Sequence, residues 1–324
     1  MDQLEEIKSK IDIVSFISEY LPLKKSGRNF KVLCPFHSEK TPSFIISPER
    51  QILHCFGCQK GGDIFKFLIE KESMEFKEAL ETLAKKAGVT LQKRKSDKKD
   101  PKDRLFEAHL KAQEFYHYIL TKHSMGKKVL SYLKSRGLTD VFIEEFGLGY
   151  APNSWESLTK FLNKRGFSIE EIILSGLGVT SRSSCYDRFR GRLIFPLLDY
   201  KGNIIGFSGR VLDKGEPKYI NSPQTPIFDK SHFLYGLNLA KGEIKQKNEA
   251  ILVEGEMDVI LSHQMGVKNT VASKGTALTS GQVDLLKKYT ESIVLAFDTD
   301  LAGDSAARRG IEIADMAGLN IKVI

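Results

Sequence analysis

The chain has 324 residues, 41% of them hydrophobic, which suits two or three domains with ordinary cores. No apolar run approaches the roughly 18 residues of a membrane helix, and Met1-Asp-Gln-Leu-Glu-Glu lacks the basic-then-apolar order of a signal peptide, so a soluble cytoplasmic protein with no membrane partner is expected. The net charge of +8 and a pI near 9.1 favour an anionic partner.

From the amino end, Leu4, Ile7, Ile11, Val14 and Ile17 recur at helical spacing, which predicts a helix over residues 1–20 that Pro22 stops. Lys24-Lys25-Ser-Gly-Arg28-Asn-Phe30 reads as a turn entering a strand. Next come Cys34-Pro-Phe-His37, seventeen residues, and Cys55-Phe-Gly-Cys58. Two short knuckles of this kind supply the closed tetrahedral ligand set of one structural zinc, with no position left for a catalytic water. Three of the four cysteines fall in this window and Cys185 stands alone, a pattern of metal binding rather than disulfides. Residues 43–47 and 51–54 are expected as the strands of a zinc ribbon, with His54 a strand residue and not a ligand. Phe36, Phe44, Phe56 and Phe65 are expected in the core of so small a domain rather than stacked on bases. Lys24, Arg28 and Lys40 flank the ribbon, either as a phosphate track or as a solvated face.

Gly61-Gly62-Asp63 should open a helix over Ile64 to Ile69, and Ser73 should cap the next, which ends at Gly88. Residues 93–103 have no hydrophobe and read as a flexible charged linker after a first domain over 1–92. A mixed α+β region follows over 104–240. Its helices begin at Arg104, Lys127, Val141 and Trp155, the last stretch running to Leu174. A β-hairpin joins 188–198 to 203–212 through Asp199-Tyr-Lys-Gly202. Residues 218–223 and 228–230 are expected as polar loops. Arg136, Arg210, Lys218, Asn221 and Lys230 sit beside Gly and Pro turns, and are either gathered there or unrelated surface charges.

The remainder, 241–324, alternates strand and helix: strands 251–253, 270–272, 293–297 and 320–324, and helices 256–265, 279–289 and 303–317. This is the pattern of a doubly wound parallel sheet. Glu254 ends the first strand and Asp298 the third, and Asp298 and Asp300 share one side of an extended backbone. Carboxylates at the carboxyl ends of parallel strands suit Mg²⁺, which keeps positions for water and phosphate. No GxGxxG or GxxxxGK[ST] occurs, so dinucleotide and P-loop nucleotide binding are unsupported.

Glu254-Gly-x-x-Asp258 with Asp298-x-Asp300-x-Ala-Gly303 resembles the toprim domain of primases and topoisomerases. The amino-terminal ribbon resembles the primase zinc-binding domain. Between them, Tyr132-Leu-x-x-Arg136-Gly, Arg188-Phe-Arg-Gly-Arg192, Gly206-Phe-Ser-Gly-Arg210, Pro217-Lys-Tyr-x-Asn221-Ser-Pro and Phe228-x-Lys230 are similar to the bacterial DnaG-type replicative primases. The resemblance spans the whole chain in order. It implies an α/β multidomain enzyme, with zinc ribbon, mixed subdomain and a toprim domain incomplete at its carboxy end. It implies an RNA polymerase that starts short primers de novo on single-stranded DNA from ribonucleoside triphosphates. On matching motifs, Glu254, Asp258, Asp298 and Asp300 hold two or more Mg²⁺ (or Mn²⁺), with Glu254, Asp298 and Asp300 catalytic. Arg136, Arg210, Lys218, Tyr219, Asn221 and Lys230 form the basic region for nucleotide and nucleic acid, and Lys24, Arg28 and Lys40 contact template. The implied partners are template, the RNA primer and a replicative helicase, the last reached through a carboxy-terminal region beyond Ile324. The sequence is therefore expected to be part of a longer primase. A primase-helicase of phage or organelle type and a non-catalytic zinc and toprim adaptor are the alternatives. One departure is Lys274 before Gly275-Thr276, where the family usually has Leu.

Overall fold

The helix expected over residues 1–20 breaks at Asp12, whose carboxylate accepts the Ser15 amide at 2.8 Å. Asp12 thereby caps a second helix, giving α1 (Gln3–Lys10) and α2 (Ile13–Ser18). The computed structural model describes residues 3–37, 39–72, 76–91, 101–181, 184–212, 215–274, 278–297 and 310–324. It falls into two compact units, Met1–Asp97 and Lys98–Ile324. Among the described residues no helix is long and apolar enough to cross a membrane.

In the first unit, β1 (Lys24–Ser26), β2 (Asn29–Val32), β3 (Phe44–Ser47), β4 (Ile52–Cys55) and β5 (Gly61–Gly62) form one antiparallel sheet in chain order. Gly61 and Gly62 therefore extend the sheet rather than open a helix. Asp63 begins α3 (Ile64–Glu72) instead, accepting the Phe65 and Lys66 amides. α4 (Phe76–Ala87) follows and ends at Gly88, whose φ of +64° is the left-handed turn a helix end favours. Ser73, expected to cap α4, lies outside the described residues. Phe44, Phe65 and Phe67 are buried, and Phe36 packs edge-on against Phe44 and Phe67. Phe56 does not join them: it is 64% exposed. Leu53 and Cys55 face the core, so strand alternation turns Ile52, His54 and Phe56 the other way.

The second unit begins with α5 (Pro101–Thr121), so the last residues of the expected linker are helical, with Pro101 at a first-turn position that needs no amide. Residues 92–100 lie outside the described residues. α6 (Lys127–Ser135) and α7 (Asp140–Glu145) follow, then β6 (Gly149–Ala151). The stretch expected as helical from Trp155 to Leu174 is two helices, α8 (Ser157–Asn163) and α9 (Ile169–Leu174), broken at Gly166, whose φ is +83°. A two-stranded ribbon of β7 (Gly178–Ser181) and β8 (Ser184–Asp187) comes next; Asp187 caps α8 by accepting the Leu158 and Thr159 amides. The expected hairpin is β9 (Arg192–Leu198) with β10 (Ile204–Arg210). Tyr219–Asn221, expected as loop, is strand β11 on the edge of β10, giving a sheet ordered β11-β10-β9-β6.

α10 (Leu237–Lys247) leads into a second sheet: β12 (Ala250–Val253), α11 (Glu256–Gln264), β13 (Thr270–Ala272), α12 (Ser280–Leu286), β14 (Ser292–Leu295), helical residues 310–316 and β15 (Asn320–Val323). All its strands are parallel, ordered β13-β12-β14-β15, the doubly wound architecture the alternation predicts. Ile293 and Leu295 of β14 pack with Leu252 and Val271 in one buried cluster. α10 and α12 pack on one face of this sheet, and Glu254 follows the end of β12.

Candidate zinc centre and acid pocket

The zinc-type centre sits in the first unit where two hairpin knuckles meet. One ligand atom from each of Cys34, His37, Cys55 and Cys58 lies within 4.8 Å of all the others. Cys34 Sγ and Cys58 Sγ are 3.8 Å apart, and Cys55 Sγ is 3.8 Å from His37 Nδ1. A tetrahedral ion with Zn–S bonds of about 2.3 Å requires sulfur atoms about 3.8 Å apart, so the four residues fit zinc and leave no open ligand position. His54 is outside the cluster, in β4 opposite Ile45.

Glu39, which the spacing argument does not single out, organises this centre. Its Oε1 accepts the Cys34 amide at 2.7 Å and the Ser43 amide at 3.0 Å; its Oε2 accepts the Ser43 hydroxyl at 2.5 Å and lies 3.3 Å from His37 Nε2. These hydrogen bonds, the Ser43 hydroxyl first, hold its carboxyl below the ordinary range. A carboxylate facing Nε2 keeps the proton there and leaves the Nδ1 lone pair for a metal. Gly57 is required beside the ring: a Cβ there would stand 2.7 Å from His37 Nε2. Burial pushes the Cys55 thiol up, but the Ser43 hydroxyl and the Cys58 amide outweigh it and bring it down to about 6. Lys24, Arg28 and Lys40 are exposed on this unit. The register Lys24↔Lys31↔Ile45↔His54 runs across the sheet, and Phe56 stands beside His54 with ring centroids 4.8 Å apart.

The second region is a cavity of about 470 Å³ in the second unit, lined by Arg136, Arg210, Lys218, Tyr219, Asn221, Glu254, Asp258 and Lys274 among others. Arg136, Arg210, Lys218 and Asn221, four of the five basic and amide residues singled out from the sequence, thus line one cavity. Glu254 leaves the end of β12, and Gly255 caps α11 with its amide donated to Asp258 Oδ2 at 3.1 Å. β14 runs parallel beside β12, pairing Leu252 with Leu295, so the chain leaves β14 at the same edge as Glu254. Asp298, Asp300 and Gly303 themselves lie outside the described residues, as do Gly275 and Thr276. Hard carboxylate donors at this edge are the donor set Mg²⁺ takes.

The basic side is presented by the other sheet. Arg192 is buried and its guanidinium donates to the carbonyls of Gly209, Pro217 and Lys218, fixing the loop that carries Lys218 and Tyr219. Gln264 of α11 donates to the Gly137 carbonyl and accepts the Thr139 amide, which holds the turn bearing Arg136 over the pocket. Arg210 lies 5.9 Å from the Tyr132 ring centroid and 5.6 Å from that of Tyr219. Its Nε is buried with no hydrogen-bond partner among the described residues, a cationic donor suited to an anionic ligand. Burial, then Glu256, pushes the Tyr219 phenol up to about 12, so it stays a neutral donor. Lys230 is exposed in the turn after Asp229 and does not line the pocket.

The pocket wall also holds a buried ion pair. Lys274 Nζ lies 2.6 Å from Glu256 Oε1, with side chains 5% and 4% exposed, and donates to Asn221 Oδ1 at 2.9 Å.

Three family models cover the chain in succession: the CHC2 zinc finger over residues 1–99, the DNA primase catalytic core N-terminal domain over 115–241 and a Toprim-like domain over 251–324. A DNA primase of Clostridium acetobutylicum is 44% identical over 328 residues, matching 100% of this chain and 54% of its own length. One of Staphylococcus aureus is 44% identical over 329 residues, 99% of this chain and 55% of its own. The chain therefore spans about half the length of the curated relatives it matches. The Aquifex aeolicus primase zinc-binding and RNA polymerase domains superpose with a TM-score of 0.65 at 37% identity, covering 100% of this chain and 79% of that one. A DnaG primase catalytic domain bound to single-stranded DNA gives a TM-score of 0.65 at 35% identity, covering 69% of this chain and 71% of that one.

Proposed function

Because this chain belongs to the bacterial DnaG-type DNA primases, we propose that it is the zinc-binding and polymerising part of an enzyme that makes short RNA primers de novo on single-stranded DNA. The observation that carries the reading is the pocket in which Glu254 and Asp258 face Arg136, Arg210, Lys218, Tyr219 and Asn221. The domains run 1–92, 104–240 and 241–324; of the tether expected over 93–103, residues 101–103 belong to α5.

Glu254, Asp258, Asp298 and Asp300 would hold Mg²⁺ or Mn²⁺, with Glu254, Asp298 and Asp300 as the catalytic carboxylates. When bound, such ions neutralise phosphate charge and lower the pKa of an attacking 3′-hydroxyl. The chain's own residues do the positioning. Arg136, Arg210 and Lys218 take phosphate oxygens; Tyr219 and Asn221 offer neutral donors; Lys230 extends the basic rim toward nucleic acid. Nucleotidyl transfer asks little more of protein groups than in-line placement and charge complementarity.

In the first unit, zinc fixes the ribbon, and Lys24, Arg28 and Lys40 grip template phosphates while Phe56 and His54 give bases a platform. The partners are single-stranded template, ribonucleoside triphosphates, the RNA primer and a replicative helicase engaged through sequence carboxy-terminal to this chain. The enzyme acts in the cytoplasm at the replisome.

The test is template-dependent incorporation of labelled ribonucleotides into short RNA by the complete protein with Mg²⁺ or Mn²⁺. Synthesis lost on Asp298→Ala with DNA binding retained supports the reading. No synthesis on any of several templates overturns it in favour of a DNA-binding adaptor.

A further inference from the structure

The wall of the acid pocket contains a buried charge pair that none of the expected roles uses. Glu256 opens α11, between Glu254 and Asp258, the other acids that line the pocket, and Lys274 follows β13. Lys274 adopts φ +56°, a left-handed conformation that a non-glycine residue rarely takes without compensating contacts. Its contacts are the Glu256 carboxylate and the Asn221 side-chain oxygen. Burial pulls the Lys274 ammonium down against the opposing pull of Glu256. Burial pushes Glu256 up, and Lys274 outweighs it and holds the carboxyl below its ordinary value.

An ammonium has three donors and no acceptor. Asn221 must therefore turn Oδ1 toward Lys274, and its amide cannot flip without placing an NH₂ against a buried cation. The group left for the pocket is Nδ2, a donor. An asparagine with no such neighbour can present either end of its amide.

We propose that Lys274 is a positioning residue for nucleotide: held by Glu256, it locks Asn221 as a hydrogen-bond donor to an acceptor oxygen of a nucleoside triphosphate. The proposal rests on the nucleotide-binding reading of the pocket. It also assigns Glu256 a role apart from the neighbouring acids, since its charge is taken up by Lys274 and not by a metal.

The experiment is a double-mutant cycle on this chain, read as the dissociation constant of a fluorescent ribonucleoside triphosphate with Mg²⁺. Lys274→Met alone would strand a buried carboxylate, so the pair is neutralised as Lys274→Met with Glu256→Gln. That variant and Asn221→Ala should each weaken binding about tenfold, the scale of one hydrogen bond to a charged group. The triple variant should be no weaker than either, because both remove the same oriented donor. Additive losses, or unchanged binding by the neutralised pair, overturn the proposal. A second readout needs no folded pair variant: the Asn221 side-chain NH₂ resonances, assigned by their loss in Asn221→Ala, should shift on adding nucleotide to the wild-type chain. Resonances that stay fixed while nucleotide binds sink this inference alone. A wild-type chain with no saturable nucleotide binding sinks the reading of the pocket as well.

Discussion

The zinc centre and the acid pocket are both built on hydrogen-bonded sheets, yet they are assembled in opposite ways. The zinc ligands come from one 25-residue window, face inward and are surrounded by a hydrogen-bonding shell. The pocket draws on two sheets and on residues from Arg136 to Lys274, and keeps about 470 Å³ open. A closed ligand set stabilises its fold; an open one keeps room for substrate. The first difference to test is therefore where metal removal is felt. Cys58→Ser, or chelation of the wild-type chain, should unfold the first unit. Structural zinc sites contribute apparent binding free energies of about 10–16 kcal/mol, as large as the whole stability of a small domain. Amide exchange should show Leu53 and Phe44 losing protection while Ile194 and Phe207 keep theirs. Retained protection in the first unit would remove the structural role of zinc.

The second unit has its own acid-sensitive element, unrelated to any metal. His109 on α5 is fully buried, stacked on Phe207 at 5.7 Å, and burial pulls its imidazole down to about 4. The folded state thus resists protonation more than the unfolded chain, whose histidine titrates near 6.5. The stabilising contribution is complete above that pH, falls as the pH drops toward 4 and is constant below. It amounts to ~3 kcal/mol, and His109→Phe should flatten that part of the second unit's stability profile between pH 6.5 and 4. Urea unfolding followed at β9 and β10 across this range checks the slope; an unchanged slope in the variant would assign the acid sensitivity to other groups.

What could be read from the sequence follows the same division. Cys34, His37, Cys55 and Cys58 are spaced so that chain connectivity alone brings them together. The strand end carrying Glu254 follows from a short branched run bounded by glycine, and Asp258 lies in the first turn of the helix that comes after it. The convergence of Arg136, Arg210, Lys218 and Asn221 has no local signature, because sheet pairing across many residues creates it; only the family resemblance reaches it. β6, β7, β8 and β11 have three or four residues each, too few to show a period. Phe56 lies outside the core because strand phase, visible in the alternation of Leu53 and Cys55, decides which way a ring faces, and an aromatic count does not. Lys274 stands out in sequence only as a departure from the family's Leu, and nothing local pairs it with Glu256 until the fold buries them side by side.

Glu39 marks how far the closed centre depends on more than its ligands. It was legible only as the acid nearest His37, and its role depends on the turn that wraps it back onto Cys34 and Ser43. Glu39→Gln keeps the shape but can present an NH₂ to His37 Nε2, which loosens the tautomer that leaves Nδ1 to the metal. Zinc affinity, measured by competition with a chromogenic chelator, should fall about 10- to 100-fold, the usual effect of losing such a partner. No comparable loss should follow from Glu256→Gln, which belongs to the open pocket.

The smallest expected effect separates the two kinds of template contact on the first unit. Lys24, Arg28 and Lys40 carry charge to the surface, and Phe56 carries an exposed ring with none. Each cation that meets a phosphate releases condensed counterions from single-stranded DNA. Replacing one by Ala should therefore reduce the steepness of log affinity against log salt by about 0.7. A stacked ring contributes at every salt concentration alike, so Phe56→Ala should shift the whole line downward at constant slope, by about 1–3 kcal/mol if a base stacks on it. Fluorescence anisotropy of a labelled oligonucleotide over a salt series measures both quantities on the same samples. A Phe56→Ala line that changes slope, or lysine and arginine variants that keep it, would mean that the sheet face bearing Phe56 and the flanking cations do not meet the template as one surface.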